Sequence, residues 1–554
     1  MTSLKSKEQR HLAFLTILAI TIGFFSVSAH APKALMQDSE GPDSCTSIMV
    51  GRLATTDGSV ITCHTCDGNY RNWLNIVPHK QHAKGSTNKI YWGTLHTETA
   101  DDMRGKILKG EIPEADETYA YLNVAYPAMN EKQLAIGETT IGGRRELHND
   151  DGLFLIEELE RIALERCTNA RDALKLIGEL VKQYGYGDSG ECITIADKKE
   201  VWQLEIFGAG PGEPGSVWAA ARIPDDQVGV SANIPRISEI NPKDPDNFMA
   251  SENVYSVAEK MGWWKSGEPF KFWKAYSGRK PFSDREYYIL STLAPSLNLK
   301  RDAEELPFSV KPEKKLSVRD VMKYYRETYE GTDMDTTKDL LVPKGGRGGG
   351  PPAAAAATSA QEMVKSPVAN PWMSGDMIRL LNTLKPGVVP QPVRTIAISG
   401  CAYSQIIQVR GWLPDEVGAI AWFSFDNPAQ SPRIPIFSGV LSLPRSFEVD
   451  SQHKYRTDSA SWAFRKANRL ATVRWGVTRK TMEDAIADFE NRAFAELPSI
   501  EKIALDMLNS DSSGPGRQKC REFLTRYTND FARAAIDRWN ELSDTFWGLF
   551  ARGF

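Results

Sequence analysis

The residue type and the position of Cys45 could support nucleophilic chemistry. It opens a β-rich stretch and follows the short polar segment PKALMQDSEGPDS at residues 32–44. If residues 1–44 were removed, the Cys45 thiolate could act as the nucleophile. Its own α-amine, which has a pKa of about 7.7–8.0 in model compounds, could act as the general base. The alternatives are a disulfide cysteine, a buried small side chain or a lipid-modified cysteine, although GPDSC does not end an apolar run.

A second group of reactive side chains lies in the sequence CHTCD at residues 63–67. Cys63 and Cys66 could form a redox pair, a disulfide or part of a metal site, or could simply pack in a strand. No second CxxC motif completes a four-cysteine zinc site, and strand alternation would place the two thiols on opposite faces. The Asp67 carboxylate could hold the ammonium or orient the thiol of Cys45, or Asp67 could be only the turn residue before Gly68.

The elements that must position these residues are predicted to be a β-hairpin followed by alternating helices and strands. An Asp57-Gly58 turn separates two β-rich runs and predicts strands over 46–52 and 59–65, so that the chain returns alongside Cys45. Helical spacing predicts a helix capped at Asp150 or Asp151. Further strands are predicted at 90–94, 119–126, 133–136 (followed by a glycine-rich loop), 192–196, 201–207, 217–221, 228–231, 394–399, 404–409 and 418–423, and helices at 170–184, 318–330 and beyond 459. This order predicts an α+β fold in which helices cover sheets.

The composition is that of an ordinary globular protein. The 554 residues include 67 Lys and Arg against 71 Asp and Glu, which gives a net charge of −4, and 41% of the residues are hydrophobic. This balance argues against a multi-span membrane protein and against nucleic acid as a partner. No G-x-S-x-G, H-E-x-x-H or P-loop motif is present, and the sequence predicts neither a cofactor nor a bound metal. The seven cysteines are too few for a disulfide scaffold.

The first 31 residues have the pattern of a secretory signal peptide. Lys5, Lys7 and Arg10 precede the apolar run 12–27, and small residues follow in SVSAHA. The run of about 16 residues is shorter than the roughly 20 needed to span a bilayer, although a membrane anchor is the alternative. We therefore expect export, to the periplasm or outside the cell, with no membrane association after the signal peptide is removed.

The stretch CTSIMVGRLATTDGSVI, which begins at Cys45, resembles the start of mature cysteine dipeptidases of the N-terminal-nucleophile hydrolases. These enzymes are related to secernins and, more distantly, to choloylglycine hydrolases and penicillin V acylases. Further similar stretches follow in the expected order, namely NEKQLAIGETT at 130–140, VWAAARIPDDQVGVSANIPRI at 217–237, YEGTDMDTTKDLL at 329–341, RGWLPDEVGAIAWFSFDNPAQS at 410–431 and SASWAFRKANRLATVRWG at 459–476. The resemblance implies an αββα sandwich with helical additions, cleavage that exposes Cys45, and metal-free hydrolysis of dipeptides through a thioester.

The resemblance also implies a catalytic role for residues on the first two strands. Cys45 would attack the substrate carbonyl carbon. In the wider superfamily an Arg-Asn-x-Asp run supports the nucleophile, and His64-Thr65-Cys66-Asp67 stands at that position here. Asp67 matches the aspartate of the run. His64 replaces the arginine, so it could donate a hydrogen bond in its place or could instead be a packed or solvent-facing side chain.

Three more site residues are implied by the resemblance. Asn233 in VSANIP matches the asparagine that donates a hydrogen bond to the oxyanion, and such a preorganised donor can be worth about 3–4 kcal/mol; it could otherwise be a turn residue. Thr140, or Thr139 beside it, stands where the bile-salt hydrolases have a second oxyanion asparagine. Arg285 in FSDREYY corresponds to a late active-site arginine.

The resulting organisation has four parts: a signal peptide (1–31), a leader (32–44), a dipeptidase domain (45–480) and a C-terminal helical extension (481–554). A glycine- and alanine-rich segment at 344–360 is predicted to be a flexible insertion. Small peptides are the expected substrates, and an acylase acting on N-acyl amides or a non-catalytic secreted binding protein are the alternatives. The aromatic-rich region 263–273 could be core, an interface in a homo-oligomer or an apolar substrate wall.

Overall fold

Antiparallel sheets and helices build the protein in a computed structural model that describes residues 44–212, 215–344, 362–390, 393–450, 452 and 454–553. The predicted signal peptide and the predicted leader up to residue 43 lie outside these residues. The predicted insertion at 344–360 also lies outside them, apart from Lys344. The mixture of helices with antiparallel sheets agrees with the predicted α+β class.

Within the described ranges, the strands form two large sheets and three two-stranded sheets. In chain order the strands are β1 Ser44–Val50, β2 Val60–Asp67, β3 Asn75–Val77, β4 Lys80–Gln81, β5 Thr87–Trp92, β6 Ile107–Pro113, β7 Glu117–Thr118, β8 Tyr121–Asn123, β9 Met129–Asn130, β10 Ala135–Thr140, β11 Glu191–Ala196, β12 Val201–Gly208, β13 Ser216–Ile223, β14 Val228–Ser231, β15 Phe248–Ala250, β16 Ser309–Val310, β17 Leu341–Pro343, β18 Met363–Lys365, β19 Cys401–Val409, β20 Ala419–Phe425 and β21 Ile434–Phe437. The first sheet has the order β16-β14-β1-β2-β19-β20-β21, and the second has the order β15-β13-β12-β11-β10-β9-β8-β3.

Helices contact both sheets. In chain order they are α1 Ile156–Arg166, α2 Ala170–Tyr184, α3 Ser256–Lys260, α4 Phe272–Tyr276, α5 Asp284–Leu293, α6 Val318–Tyr324, α7 Gly375–Leu384, α8 Asp415–Gly418, α9 Ala460–Val473, α10 Trp475–Ser510 and α11 Gly514–Leu549. Helices α1 and α2 contact strands of the second sheet, whereas α6, α9 and α11 contact the first sheet. No helix within the described ranges is long and apolar enough to cross a membrane.

The structure confirms the predicted hairpin, which places Cys45 beside the end of the second strand. Gly58 adopts a positive φ of 85°, and the Asp57 carboxylate accepts hydrogen bonds from the backbone and hydroxyl of Ser59. Strands β1 and β2 then pair so that Cys45 lies opposite Cys66. Every residue of β2 is buried, because a strand covered on both faces loses the usual alternation of exposed and buried side chains.

The two large sheets face each other through small polar side chains as well as apolar ones. Thr62 of the first sheet bonds to Thr194 of the second, with 2.6 Å between the hydroxyl oxygens. The Ser47 hydroxyl donates to the Glu138 carbonyl oxygen at 3.1 Å. A Cβ added at Gly137 would lie 3.1 Å from the Cys63 carbonyl oxygen of the first sheet, so a glycine at this position allows the sheets to approach closely.

Several sequence-based predictions of local structure are wrong. The glycine-rich loop predicted after residue 136 begins later, because strand β10 continues to Thr140 and only the residues from 141 onward leave the strand. No strand forms at 394–399. Neither Asp150 nor Asp151 caps a helix, because α1 begins later at Ile156, with no side-chain hydrogen bond at its N-cap. The helix predicted over 318–330 ends at Tyr324. In these segments tertiary contacts outweigh local propensity.

The C-terminal helices pack against the sheets instead of standing apart. Helix α10 runs without a break across residue 480, and α11 buries Trp539 completely. The Trp539 indole Nε1–H lies 3.2 Å from both the Gln430 carbonyl oxygen and the Asn468 Oδ1 atom. Helix α11 therefore contributes to the same core as the segment that contains Gln430.

Replacing Trp539 with Ala should lower the free energy of unfolding by about 3–5 kcal/mol, because the change leaves a cavity and two acceptors without their donor. Urea unfolding followed by circular dichroism would measure the effect. Trp547 is the control, since it lies on the same helix but is 59% exposed. Trp547→Ala should change the stability by about 0.5 kcal/mol or less. Equal effects of the two variants would contradict the buried role of Trp539.

Candidate active site

Cys45 lies at the start of β1 with its backbone held on both sides. Its backbone N–H donates to Asn233 Oδ1 at 2.9 Å, and its carbonyl oxygen accepts from Arg285 Nη1 at 2.5 Å. Its side chain is fully buried, and the thiol Sγ lies 3.4 Å from Glu138 Oε2, to which it donates a hydrogen bond. The structure thus brings three of the predicted site residues, Cys45, Asn233 and Arg285, into direct contact.

The Cys45 thiol is not activated while the Ser44–Cys45 peptide bond is intact. Burial is the largest cause that raises the pKa of this thiol well above its usual range, and the negative charges of Glu138 and Asp67 raise it further. A hydrogen bond with the Asp67 backbone acts in the opposite direction but is smaller. The thiol is therefore protonated at neutral pH, and nucleophilic chemistry needs a base and a change in solvation.

Asp67 ends β2 directly opposite Ser44, the residue that precedes Cys45. Its Oδ2 atom accepts from the Thr65 hydroxyl at 2.7 Å and from Arg394 at 2.5 Å. Its Oδ1 atom is buried and accepts no hydrogen bond from the described residues. The Asp67 carboxylate is thus held at the end of the strand that pairs with the Ser44–Cys45 segment, where a new amine would form if this bond were cut.

Asn233 adopts a left-handed backbone conformation with φ of 66°. A non-glycine residue in this region carries strain of about 1–3 kcal/mol, which surrounding contacts must offset. Its Oδ1 atom accepts from Cys45 and from Arg285 Nη2 at 2.8 Å, while its Nδ2 group donates to the Thr140 carbonyl oxygen at 2.7 Å. The side chain therefore bridges β1 and the end of β10. In this state one of the two N–H bonds of its amide group donates to the protein.

Arg285 is positioned by the first turn of α5. Ser283 and Glu286 form a capping box that starts this helix, and Glu286 Oε1 also accepts from the Ala232 backbone N–H at 2.8 Å. Arg285 then reaches the Cys45 carbonyl and the Asn233 side chain together. Burial lowers the pKa of Arg285 to about 10, so the guanidinium remains charged at neutral pH.

His64 is close to the site but makes its hydrogen bonds away from Cys45. Its Nδ1 atom accepts from the Glu138 backbone N–H at 3.0 Å, so Nε2 carries the proton and faces the Tyr403 hydroxyl at 3.2 Å. Burial lowers the pKa of His64 to about 3, so the ring is neutral. His64 thus links the two sheets as a neutral side chain, and no hydrogen bond of the kind implied by the family arginine runs from it to Cys45.

Two polar residues of this site were missed by sequence reasoning. Glu138 receives the Cys45 thiol hydrogen bond, and Arg394 forms the ion pair with Asp67. Glu138 had one usable signal, since a glutamate inside the buried run QLAIGETTI is unusual and perturbed buried acids concentrate at functional sites. Arg394 had none, because it is more than three hundred residues from Asp67 along the chain. Thr140 contacts Glu138 Oε1 through its hydroxyl at 3.1 Å and is half-buried.

The CxxC pair does not act as a unit. Cys63 and Cys66 are not bonded to each other, and the Cys63 thiol donates to the Ile48 carbonyl oxygen at 3.0 Å. Cys66 lies opposite Cys45 across the hairpin, so the two cysteines have different surroundings. In the part of the chain that the structure describes, no group of three or more His, Cys, Asp or Glu side chains is arranged to hold a metal ion.

Comparison with known proteins gives a consistent result across most of the chain. The model of peptidase family C69 matches residues 44–347 and 374–488. A probable dipeptidase of Latilactobacillus sakei is 25% identical over 464 residues, which cover 79% of this chain and 83% of that protein. A probable dipeptidase of Salmonella dublin is 26% identical, with 72% and 81% covered. A probable dipeptidase B of Lactococcus lactis is 25% identical, with 90% and 94% covered.

Replacing His64 with Gln should reduce the sensitivity of folding to acid. The unfolded chain binds the proton with the ordinary pKa of about 6.5, whereas the folded His64 has a pKa of about 3. Between these values the unfolded state binds more protons, so stability falls as the pH falls, by up to about 1.4 kcal/mol per pH unit. The His64→Gln variant should lose less stability between pH 6.5 and pH 4, by about 3 kcal/mol.

Urea unfolding at several pH values would measure this difference. Replacement of the exposed His148 is the matched comparison, because it removes a histidine without removing a buried one. If the free energy of unfolding changes with pH equally in wild type and in His64→Gln, a buried, neutral His64 is contradicted.

Proposed function

The chain belongs to peptidase family C69, and on this basis we propose that it is an exported cysteine dipeptidase with Cys45 as its nucleophile. The observation that carries the proposal is the fixed position of Cys45 at the start of β1. Its N, O and Sγ atoms each bond to a different polar side chain, namely Asn233, Arg285 and Glu138. The names of the related probable dipeptidases support dipeptides as the substrate class.

In the proposed mechanism the Ser44–Cys45 bond is cut first. The amide nitrogen of Cys45 then becomes an amine, which keeps its contact with Asn233 Oδ1, and the negative charge of the nearby Asp67 favours protonation of this amine. The amine takes the thiol proton, and the thiolate attacks the carbonyl carbon of the scissile peptide bond.

The attack produces a tetrahedral oxyanion that needs preorganised donors. We assign one donor to the Asn233 amide, which would exchange the Thr140 carbonyl for the oxyanion, and a second to Thr140 itself. Collapse of the intermediate transfers a proton from the ammonium of Cys45 to the leaving amine and forms a thioester. Water then hydrolyses the thioester with the same amine as the base. Arg285 positions Cys45 throughout by holding its carbonyl oxygen.

The architecture and the N-terminal sequence support two further parts of the proposal. Two facing antiparallel sheets with helices against each are compatible with the αββα sandwich of N-terminal-nucleophile hydrolases. The apolar run at 12–27 after three basic residues supports export. Residues 32–44 would then be a leader that is removed after the signal peptide.

N-terminal sequencing of the active protein is the decisive test, and we expect the mature chain to begin at Cys45. Cys45→Ala should abolish hydrolysis of dipeptides, whereas Cys45→Ser should leave a small fraction, because a hydroxyl is a weaker nucleophile at this pH. Cys63→Ser is the matched control, since a hydroxyl can still donate to the Ile48 carbonyl and should preserve activity. An active protein that still carries residues 32–44 would contradict the mechanism in which the amine is the base.

A further inference from the structure

A pair of buried carboxyl groups lies beside the proposed nucleophile and has no place in the mechanism so far. Glu138 accepts a hydrogen bond from the Cys45 thiol, and Glu191 lies close enough for each carboxyl group to affect the pKa of the other. Glu138 is fully buried, and Glu191 is 3% exposed. The Oε2 atom of Glu191 is buried without a hydrogen-bond partner among the described residues. The pair therefore keeps an acceptor that the protein itself does not use.

The charges around this pair favour a cation. Desolvation is the first cause that raises the pKa of Glu138 to about 7 and that of Glu191 well above its usual range, and the charge of Asp188 raises both further. Two neighbouring buried carboxyl groups do not both ionise readily, so near neutral pH Glu191 stays protonated and Glu138 is partly ionised. A buried charge without a partner of opposite sign is costly, so a ligand with positive charge would be stabilised here.

The position of the two glutamates fits that of the α-nitrogen of the substrate residue under attack. In an amino acid the α-nitrogen is about 2.5 Å from the carbonyl carbon, which follows from the standard bond lengths and angle. An attacking sulfur approaches that carbon to about 3–3.5 Å. The α-nitrogen of the residue under attack must then lie within about 3.5–6 Å of Sγ. Glu138 Oε2 lies 3.4 Å from Sγ and is within hydrogen-bond reach of that region.

We propose that Glu138 and Glu191 bind the free α-ammonium group of the substrate and so restrict hydrolysis to peptides with an unblocked N terminus. This inference rests on the proposed function and adds the residues that select the substrate class. The ammonium would donate to Glu138 Oε2 in place of the Cys45 thiol and to the unused Glu191 Oε2. Thr140 would hold Glu138 Oε1 in place.

The proposal also explains how an N-acyl substrate would be rejected. An N-acyl peptide brings an amide with a single N–H and no charge to a site that holds a buried negative charge. The buried carboxylate would then lie next to an uncharged group and would have no ionic partner. Sites that are built to bond a specific polar group reject analogues that lack it by factors that reach 10⁴–10⁵.

The test compares two substrates that differ only in the ammonium group. Alanyl-alanine carries the ammonium, and propionyl-alanine has a hydrogen in its place. The mature wild-type enzyme should favour alanyl-alanine in kcat/KM by about 10³-fold or more. In Glu138→Gln and in Glu191→Gln this ratio should fall to about tenfold or less, because kcat/KM for alanyl-alanine drops while that for propionyl-alanine is kept or rises.

Glu160→Gln provides the matched control. Glu160 is another fully buried acid whose two oxygens have no hydrogen-bond partner among the described residues, and its pKa is raised by burial and by the charge of Glu138. It makes no hydrogen bond to Cys45, so its replacement should leave the substrate ratio at the wild-type value. The rate at which iodoacetamide labels Cys45 in each variant reports whether the thiol itself has changed.

The outcomes separate this inference from the proposed function. If Glu138→Gln and Glu191→Gln reduce kcat/KM equally for both substrates, the pair acts on the thiol or on folding, and the inference is overturned. If the wild-type enzyme hydrolyses propionyl-alanine as well as alanyl-alanine, the inference is overturned while the amide hydrolase remains. If the wild-type enzyme hydrolyses neither, or if Cys45→Ala stays active, the proposed function itself fails.

Discussion

The hydrogen bonds that fix the backbone of Cys45 are the constraint on which the site depends. Strand β1 pairs with β2 along its whole length and with β14 from Ser47 onward, so its first residues are anchored to β2. Asn233 and Arg285 then bind the nitrogen and the carbonyl oxygen of Cys45. A nucleophile whose amine must also act as its base needs this restraint, because both groups belong to one residue and must keep their relative orientation.

Burial has a different effect on each ionisable group at the site. It keeps the Cys45 thiol protonated, keeps the His64 ring neutral and raises the pKa of Glu138 to about 7. Arg285 bonds to the Cys45 carbonyl oxygen and Arg394 pairs with Asp67, whereas Glu138, which lies near Glu191, contacts the thiol. The low dielectric of the interior strengthens both the attraction to a ligand of opposite charge and the penalty for leaving a charge unpaired.

Much of the fold could be predicted because its signals are local. The Asp57-Gly58 turn with β-rich runs on both sides predicted the hairpin, and the apolar periodicity predicted helix α2 with its end at Gly185. The strand through Thr140 was missed because Gly137 reads as a loop residue, although the glycine serves close packing between sheets. The segment at 394–399 has strand-forming residues, but Arg394 is used to bind Asp67 and no strand forms.

The sequence by itself predicted, from residue type and order along the chain, that Cys45 opens a strand and that Asp67 lies at the end of its partner. Asn233 and Arg285 were proposed as site residues only through the resemblance to a known family. Only the tertiary structure decided which groups touch the thiol. It put Glu138 beside Cys45, turned His64 towards Tyr403 and brought Arg394 to Asp67. These contacts join residues far apart in the chain, and their geometry depends on how two sheets face each other, which no local pattern encodes.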